Sequence, residues 1–290
     1  MWILIWIIQS FLNATWMVLT KKVVENKKIS NNYQTFFSRT HHFLIIWFLF
    51  YIWFLDYNFI EANLQNNDFL ILLAWSIAIY TTYPLRRIAY ANEKVSVLQP
   101  YAMLYQVFPI IIGFIFIANE RANLITFISA LLASIVIIWT SINYKNFKFN
   151  KYSLMVLTSS IIKSFQIFGV LFLLTKFNPA SFYFTESIIL MIISISLIIL
   201  KKEIKQIKLL SKKYVKLLLL ANTIVVTSIL LSLTLYSTLW VVTTSLLSLL
   251  YLIFIYILWY FILNDKPAKK DILVTVFVVL CIIIWMLFKK

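Results

Sequence analysis

From Trp2 to Phe288 the chain is a succession of apolar runs divided by short polar breaks. A hydrocarbon core of about 30 Å takes roughly 20 apolar residues of helix to cross. In lipid every backbone N–H and C=O must be satisfied inside the segment or in a closed barrel. Membrane strands alternate polar and apolar over about ten residues, whereas these runs are longer and apolar on all faces. Helices are therefore expected, at about residues 2–20, 36–55, 69–91, 95–118, 122–142, 153–174, 180–200, 215–236, 239–262 and 271–288. With 62% hydrophobic, 18% aromatic and only 12% charged residues, a water-soluble domain is excluded, because its surface would aggregate.

The 26 Lys and Arg against 10 Asp and Glu give a net charge of +16. In a soluble chain that excess would point to nucleic acid; here the basic residues lie in short runs between spans, so a lipid bilayer and no nucleic acid is the expected environment. The odd-numbered connections and adjoining helix ends hold 21 basic residues, the even side only Arg121, Lys176, Lys289 and Lys290. The even side also receives the acidic stretch Asp56 to Asp68. By the positive-inside rule the odd loops face the cytoplasm and both termini lie outside. Met1-Trp2-Ile3-Leu4 has no basic residue before the apolar run, so the first segment is expected to persist as a helix. The lone Cys281 rules out a disulfide framework and a Cys/His metal cluster. No phosphate-cradling G-x-x-x-x-G-K-[ST] motif occurs, and neither metal nor cofactor is expected.

Shifting the sequence by half its length, 145 residues, lays Asn119-Glu120-Arg121 on Asn264-Asp265-Lys266. Both triplets read Asn, acid, base, and each precedes the last span of its half. Val97, Ile137 and Ile138 fall on Val242, Ile282 and Ile283 at the same offset. The expected architecture is an all-α polytopic membrane protein of ten transmembrane helices, arranged as two five-helix repeats, 1–145 and 146–290, in one integral membrane unit. An odd number of spans per repeat inverts the halves, the plan of many secondary transporters with a midplane site.

The segment Arg87-Ile-Ala-Tyr-Ala-Asn-Glu-Lys-Val-Ser-Val-Leu-Gln-Pro-Tyr, running on through Phe108-Pro109 to Asn119-Glu120-Arg121 and a helix ending near Ile142, resembles the drug/metabolite transporter superfamily, in particular its ten-helix EamA-type members. Trp16, Lys21-Lys22 and Arg39 also sit where members often carry Trp, Lys and Arg. Departures are Asn119 for the usual Gly, Asp265 for Glu, and a ninth helix without proline. The resemblance implies a secondary transporter of a small metabolite with no ATP site, and both termini inside, against the charge count.

Ionisable residues inside a span are costly unless they face a polar cavity or a partner. Lys163, in the sixth span, and Glu186, in the seventh, differ in depth by roughly 8 Å at about 1.5 Å per residue, so they are expected to pair. Glu186 is expected to take a proton or a substrate ammonium group, Lys163 a carboxylate or phosphate. The half-length shift places His41 on Glu186, making His41 a second proton-coupling candidate, although adjacent histidines point about 100° apart and at most one of His41 and His42 faces a cavity. Arg39 reads as an anion-attracting group or, slightly preferred, a lipid or structural contact. Gln99, Tyr101, Tyr105 and Gln106 surround two prolines of the fourth span, where a freed carbonyl and a bent axis suit a cavity wall. Asn13 and Trp16 in the first span, Asn222 in the eighth and Trp240 at the start of the ninth complete the expected substrate-binding set.

The function expected is alternating-access transport of a small molecule, an amino acid or similar zwitterion, across the plasma or inner membrane, driven by a gradient or by exchange. The alternative within the class is proton-coupled efflux of organic cations, with Glu186 as the exchange site. An enzyme or assembly factor for lipid-linked intermediates is the other alternative, but paired carboxylates or a metal constellation at a membrane face are missing from the sequence. The chain is therefore not expected to be an enzyme, and a monomer suffices for the transport reading.

Overall fold

The computed structural model describes residues 2–24, 30–52, 66–93, 95–116, 124–141, 150–203, 212–238, 241–263 and 269–288. Among them the chain forms eleven α-helices, one π-helical turn and no strand. The helices are α1 (Trp2–Val24), α2 (Asn31–Tyr51), α3 (Asn66–Asn92), α4 (Val95–Phe116), α5 (Leu124–Ser141), α6 (Lys151–Leu174), α7 (Pro179–Leu200), α8 (Lys212–Thr238), α9 (Val241–Ser248), α10 (Tyr251–Leu258) and α11 (Lys269–Phe288). The expected all-α class is observed. Among the described residues five stretches are long and apolar enough to cross a membrane: Asn67–Asn92, Lys151–Leu174, Pro179–Leu200, Tyr214–Thr238 and Val242–Ile262. Leu124–Val136 and Thr275–Leu287 are shorter apolar helical stretches.

Three helices start on side-chain caps that satisfy an otherwise free backbone N–H. Ser30 Oγ accepts from Tyr33 N–H at 3.2 Å, Asn150 Oδ1 from Ser153 N–H at 2.7 Å, and Asn178 Oδ1 from Ser181 N–H at 2.8 Å. Pro179 follows the last cap, where its missing N–H costs nothing.

The packing is inside out relative to a soluble domain. Large apolar side chains cover the outside, Leu200 being 76% and Phe261 73% exposed, while Ser10, Ser76, Ser159, Ser160, Ser164, Thr244 and Ser245 are buried. Small hydroxyl residues let helix backbones approach closely where lipid removes any hydrophobic drive between helices. Between α3 and α6 a glycine makes room for an indole. A Cβ added at Gly169 would meet Trp75 Cδ1 at 2.9 Å, and Trp75 Nε1 donates to the Gln166 carbonyl at 3.0 Å. The main helix partnerships are α2 with α7, α3 and α4 with α6, α1 with α8 and α10, α4 with α9, and α5 with α11. Apolar clusters around Trp6, Leu246 and Trp285 and around Ile46, Trp75 and Phe182 hold these partners together.

The span expected at 239–262 is not one helix. It is α9, a turn at Leu249–Leu250, α10, and a π-helical turn at Trp259–Leu263. The turn is closed by short-range bonds, Leu249 N–H to Leu246 O and Leu250 N–H to Leu247 O. Ser248 Oγ donates back to the Thr244 carbonyl at 2.8 Å, a bond that bends helices. Neither Gly nor Pro marks the break.

Candidate functional site

Between the apolar clusters lies a cavity of about 390 Å³, in the size range of small-molecule sites. Helices α1, α2, α3, α4, α6, α7, α8 and α9 and the start of α10 all contribute to its wall. Ser248 and Tyr251 reach it from either side of the broken span.

Its organising contact is an ion pair between α2 and α7: Arg39 Nη2 lies 3.0 Å from Glu186 Oε1, with side chains only 5% and 3% exposed. Arg39 also donates to the Tyr83 hydroxyl, and its guanidinium lies 5.4 Å from the centre of the Tyr83 ring and 5.6 Å from that of Tyr183. The Tyr183 hydroxyl is 2.9 Å from His42 Nδ1. Arg86, from α3, donates through Nε to Ser159 Oγ at 2.9 Å and through Nη2 to Ser160 Oγ at 3.4 Å, and its guanidinium lies 5.4 Å from the centre of the Tyr105 ring. Lys163 lines the same space within the fields of Arg86, Arg39 and Glu186. Gln9 Nε2 donates to Ser232 Oγ at 2.7 Å and ties α1 to α8.

Of the residues expected from sequence, Asn13, Trp16, Arg39, Tyr105, Lys163, Glu186 and Asn222 line this cavity. Three expectations change. Glu186 is paired with Arg39 rather than Lys163, because Arg39 is buried and not turned to lipid. The histidine in the wall is His42, not His41, since only one of two neighbours can share the Arg39 face of α2. Tyr101 is absent from the lining and packs against the larger apolar cluster. Gln99 and Gln106 lie on α4, but their side chains, like Trp240 entirely, fall outside the described residues.

The expected substrate-binding set leaves out Lys21, Arg86, Arg87, Tyr83, Gln166 and Tyr183, all in the wall; Lys21 enters only through the resemblance, and the arginines, though candidates for buried functional residues, count with the loop charges. The two arginines carried a usable signal, since they sit inside the expected span 69–91; their proximity to its end made them read as topology charges. No group of three or more His, Cys, Asp or Glu fit to hold a metal exists among the described residues.

No family model and no curated protein sequence matches this chain. A crystal structure of a protein superimposes with a TM-score of 0.73 over 99% of this chain and 98% of that one, at 11% identity. At that identity the likeness is one of fold. Fold and site together define a helical bundle with apolar outer faces and an interior chamber whose largely apolar wall is set with a few charged side chains.

Proposed function

We propose that the chain is a secondary transporter of the drug/metabolite transporter type: ten spans in two inverted five-helix halves, moving a small metabolite through the plasma or inner membrane by alternating access. The observation that carries this reading is the central chamber, walled by helices of both halves and holding buried ionisable side chains at membrane depth, where their cost calls for a functional reason.

The helix partnerships support the two-repeat part. Counting α9, α10 and the π turn as the ninth span and α11 as the tenth, exchange of each span with the one five further along maps α2–α7, α5–α11 and α4–α9 onto themselves. The same exchange turns α3–α6 into α1–α8, and α4–α6 into α1–α10; the α4–α5 contact departs from it, with only a slight counterpart between α10 and α11. A pseudo-two-fold axis between halves produces that pattern, and midplane sites sit on such axes, often beside broken helices; the break at Leu249–Leu250 next to the chamber is in keeping.

Purified protein in liposomes is expected to catalyse gradient-driven or exchange flux of at least one member of an amino-acid, organic-acid and organic-cation panel, and Glu186→Gln to reduce it. Folded, monodisperse protein inert across the whole panel overturns the reading.

A further inference from the structure

The chamber's charges lean positive. Arg39, Arg86 and Lys163 line it with Glu186, the one carboxylate among its described lining residues, and that carboxylate is already held by Arg39. Lys21 and Arg87 also reach the chamber but are engaged, Lys21 with the Tyr90 and Glu93 carbonyls and Arg87 in the field of Glu203. Arg86 meets only neutral groups among the described residues, two serine hydroxyls and the Tyr105 ring. Lys163 has no hydrogen bond or ion pair among them; the charges of Arg86 and Arg39 act against its own, and Glu186 alone favours it. Cations that share one carboxylate, itself paired with Arg39, are short of counter-charge in a low-dielectric interior.

The unsatisfied polar atoms lean the same way. Arg39 Nη1, Gln166 Nε2 and Asn222 Nδ2 are buried without a partner, on residues 4%, 8% and 3% exposed, and all three residues line the chamber. All three atoms are donors. Buried donors are nearly always satisfied, and charge-assisted bonds to an oxyanion are the strong kind available to them. Gln34 Oε1, Glu186 Oε1 and His42 Nε2 of the same wall also lack a hydrogen bond; Glu186 Oε1 already faces Arg39 in the ion pair, and Gln34 Oε1 suits a hydroxyl on the body of the ligand.

We propose that the chamber binds a small organic anion, a carboxylate or phosphate ester, whose charged end is held by Lys163, Arg86 and the free edge of Arg39, with Gln166 and Asn222 donating to it. Tyr83, Tyr105 and Tyr183 flank the two arginines and pack on the organic body. Glu186 acts as the arginine's anchor rather than as a seat for a substrate ammonium group. This inference rests on the reading of the chamber as a carrier's substrate site, and it replaces the zwitterion expected from a Lys163–Glu186 pair.

The test uses the full chain in detergent and in liposomes, with succinate, glycerol 3-phosphate, inorganic phosphate, leucine and tetraphenylphosphonium as probes. Succinate or glycerol 3-phosphate is expected to raise the apparent melting temperature, as any ligand of the folded state must, and the stronger of the two assigns carboxylate or phosphate. Stabilisation by inorganic phosphate alone overturns the requirement for an organic body. Lys163→Met is expected to weaken the anion effect by about ten- to a hundredfold in affinity while leaving the unliganded melting temperature equal or higher, because it removes an uncompensated charge; Lys163→Arg retains binding. A lysine with only a structural role would instead lower the unliganded melting temperature and leave anion affinity unchanged. If leucine or tetraphenylphosphonium binds and is transported while both organic anions do nothing, the anion assignment fails and the carrier stands. If an anion binds but no probe crosses the bilayer, the carrier reading fails and the anion site stands.

Discussion

Arg39 is held from three directions, by the Glu186 carboxylate, by the Tyr83 hydroxyl, and by the Tyr83 and Tyr183 rings. A guanidinium suits such a place because its planar fork can bond and stack at once, which an ammonium group cannot do. Arg39→Ala strands the Glu186 carboxylate and is expected to cost about 3–5 kcal/mol of stability. The double substitution Arg39→Met with Glu186→Leu removes both charges and should recover most of that loss, since well-packed apolar replacements of buried pairs are often neutral. Thermal unfolding of the single and double variants checks this: an equal loss in both would mean that the pair is not the stabilising unit. Glu186, Lys163 and Asn222 were legible in the sequence because a polar residue deep in an apolar run has few innocent explanations. The choice of His41 over His42 was not, because a one-residue step is a 100° turn and greasy sequence on every side does not reveal which face is inward.

At the scale of the element, α3 and α6 carry the chamber's basic wall, and their spacing is set where Gly169 meets Trp75. Gly169→Ala pushes a methyl group to 2.9 Å from the indole Cδ1, closer than atoms tolerate, so the ring or the helix must shift. Overpacking of this kind is expected to cost about 1–3 kcal/mol, and the displaced Trp75 would loosen its bond to the Gln166 carbonyl. Indole fluorescence together with melting temperature reports both effects; an unshifted spectrum with wild-type stability would show that the contact relaxes freely. Helix positions followed well from apolar run length, but two things did not. The break at Leu249–Leu250 lacks Gly and Pro and is closed by short-range turn bonds; the Ser248 bond back to Thr244 does not mark it, because the same bond occurs at Ser164 and Ser194 inside unbroken helices. Nor did the sequence name the partners of each helix, because runs that are apolar all round contain no stripe that selects a neighbour.

Across the whole molecule, polar bonds join the two halves at the end of the bundle where α1, α3 and α7 finish and α2 and α6 begin. Ser30 Oγ and Asn32 Nδ2 donate to Glu203 at 2.6 and 3.1 Å, and Asn150 Nδ2 donates to Glu93 Oε2 at 2.8 Å. Lys21 Nζ, on α1, closes the same end by donating to the Tyr90 and Glu93 carbonyls at 2.5 and 3.2 Å. An alternating-access carrier must break the contacts that join its halves at one end in order to open there. With Cys281 replaced by Ala, Ser30→Cys and Glu203→Cys bridged by a short bis-methanethiosulfonate cross-linker are therefore expected to abolish flux in liposomes, while anion-induced thermal stabilisation persists. Each single cysteine variant treated with the reagent controls for simple loss of the hydrogen bonds, and Glu203→Gln, which loosens the seal without locking it, should keep measurable flux. Full flux through the bridged protein would mean that these helix ends do not separate during transport, and the motion between halves would then have to be sought elsewhere.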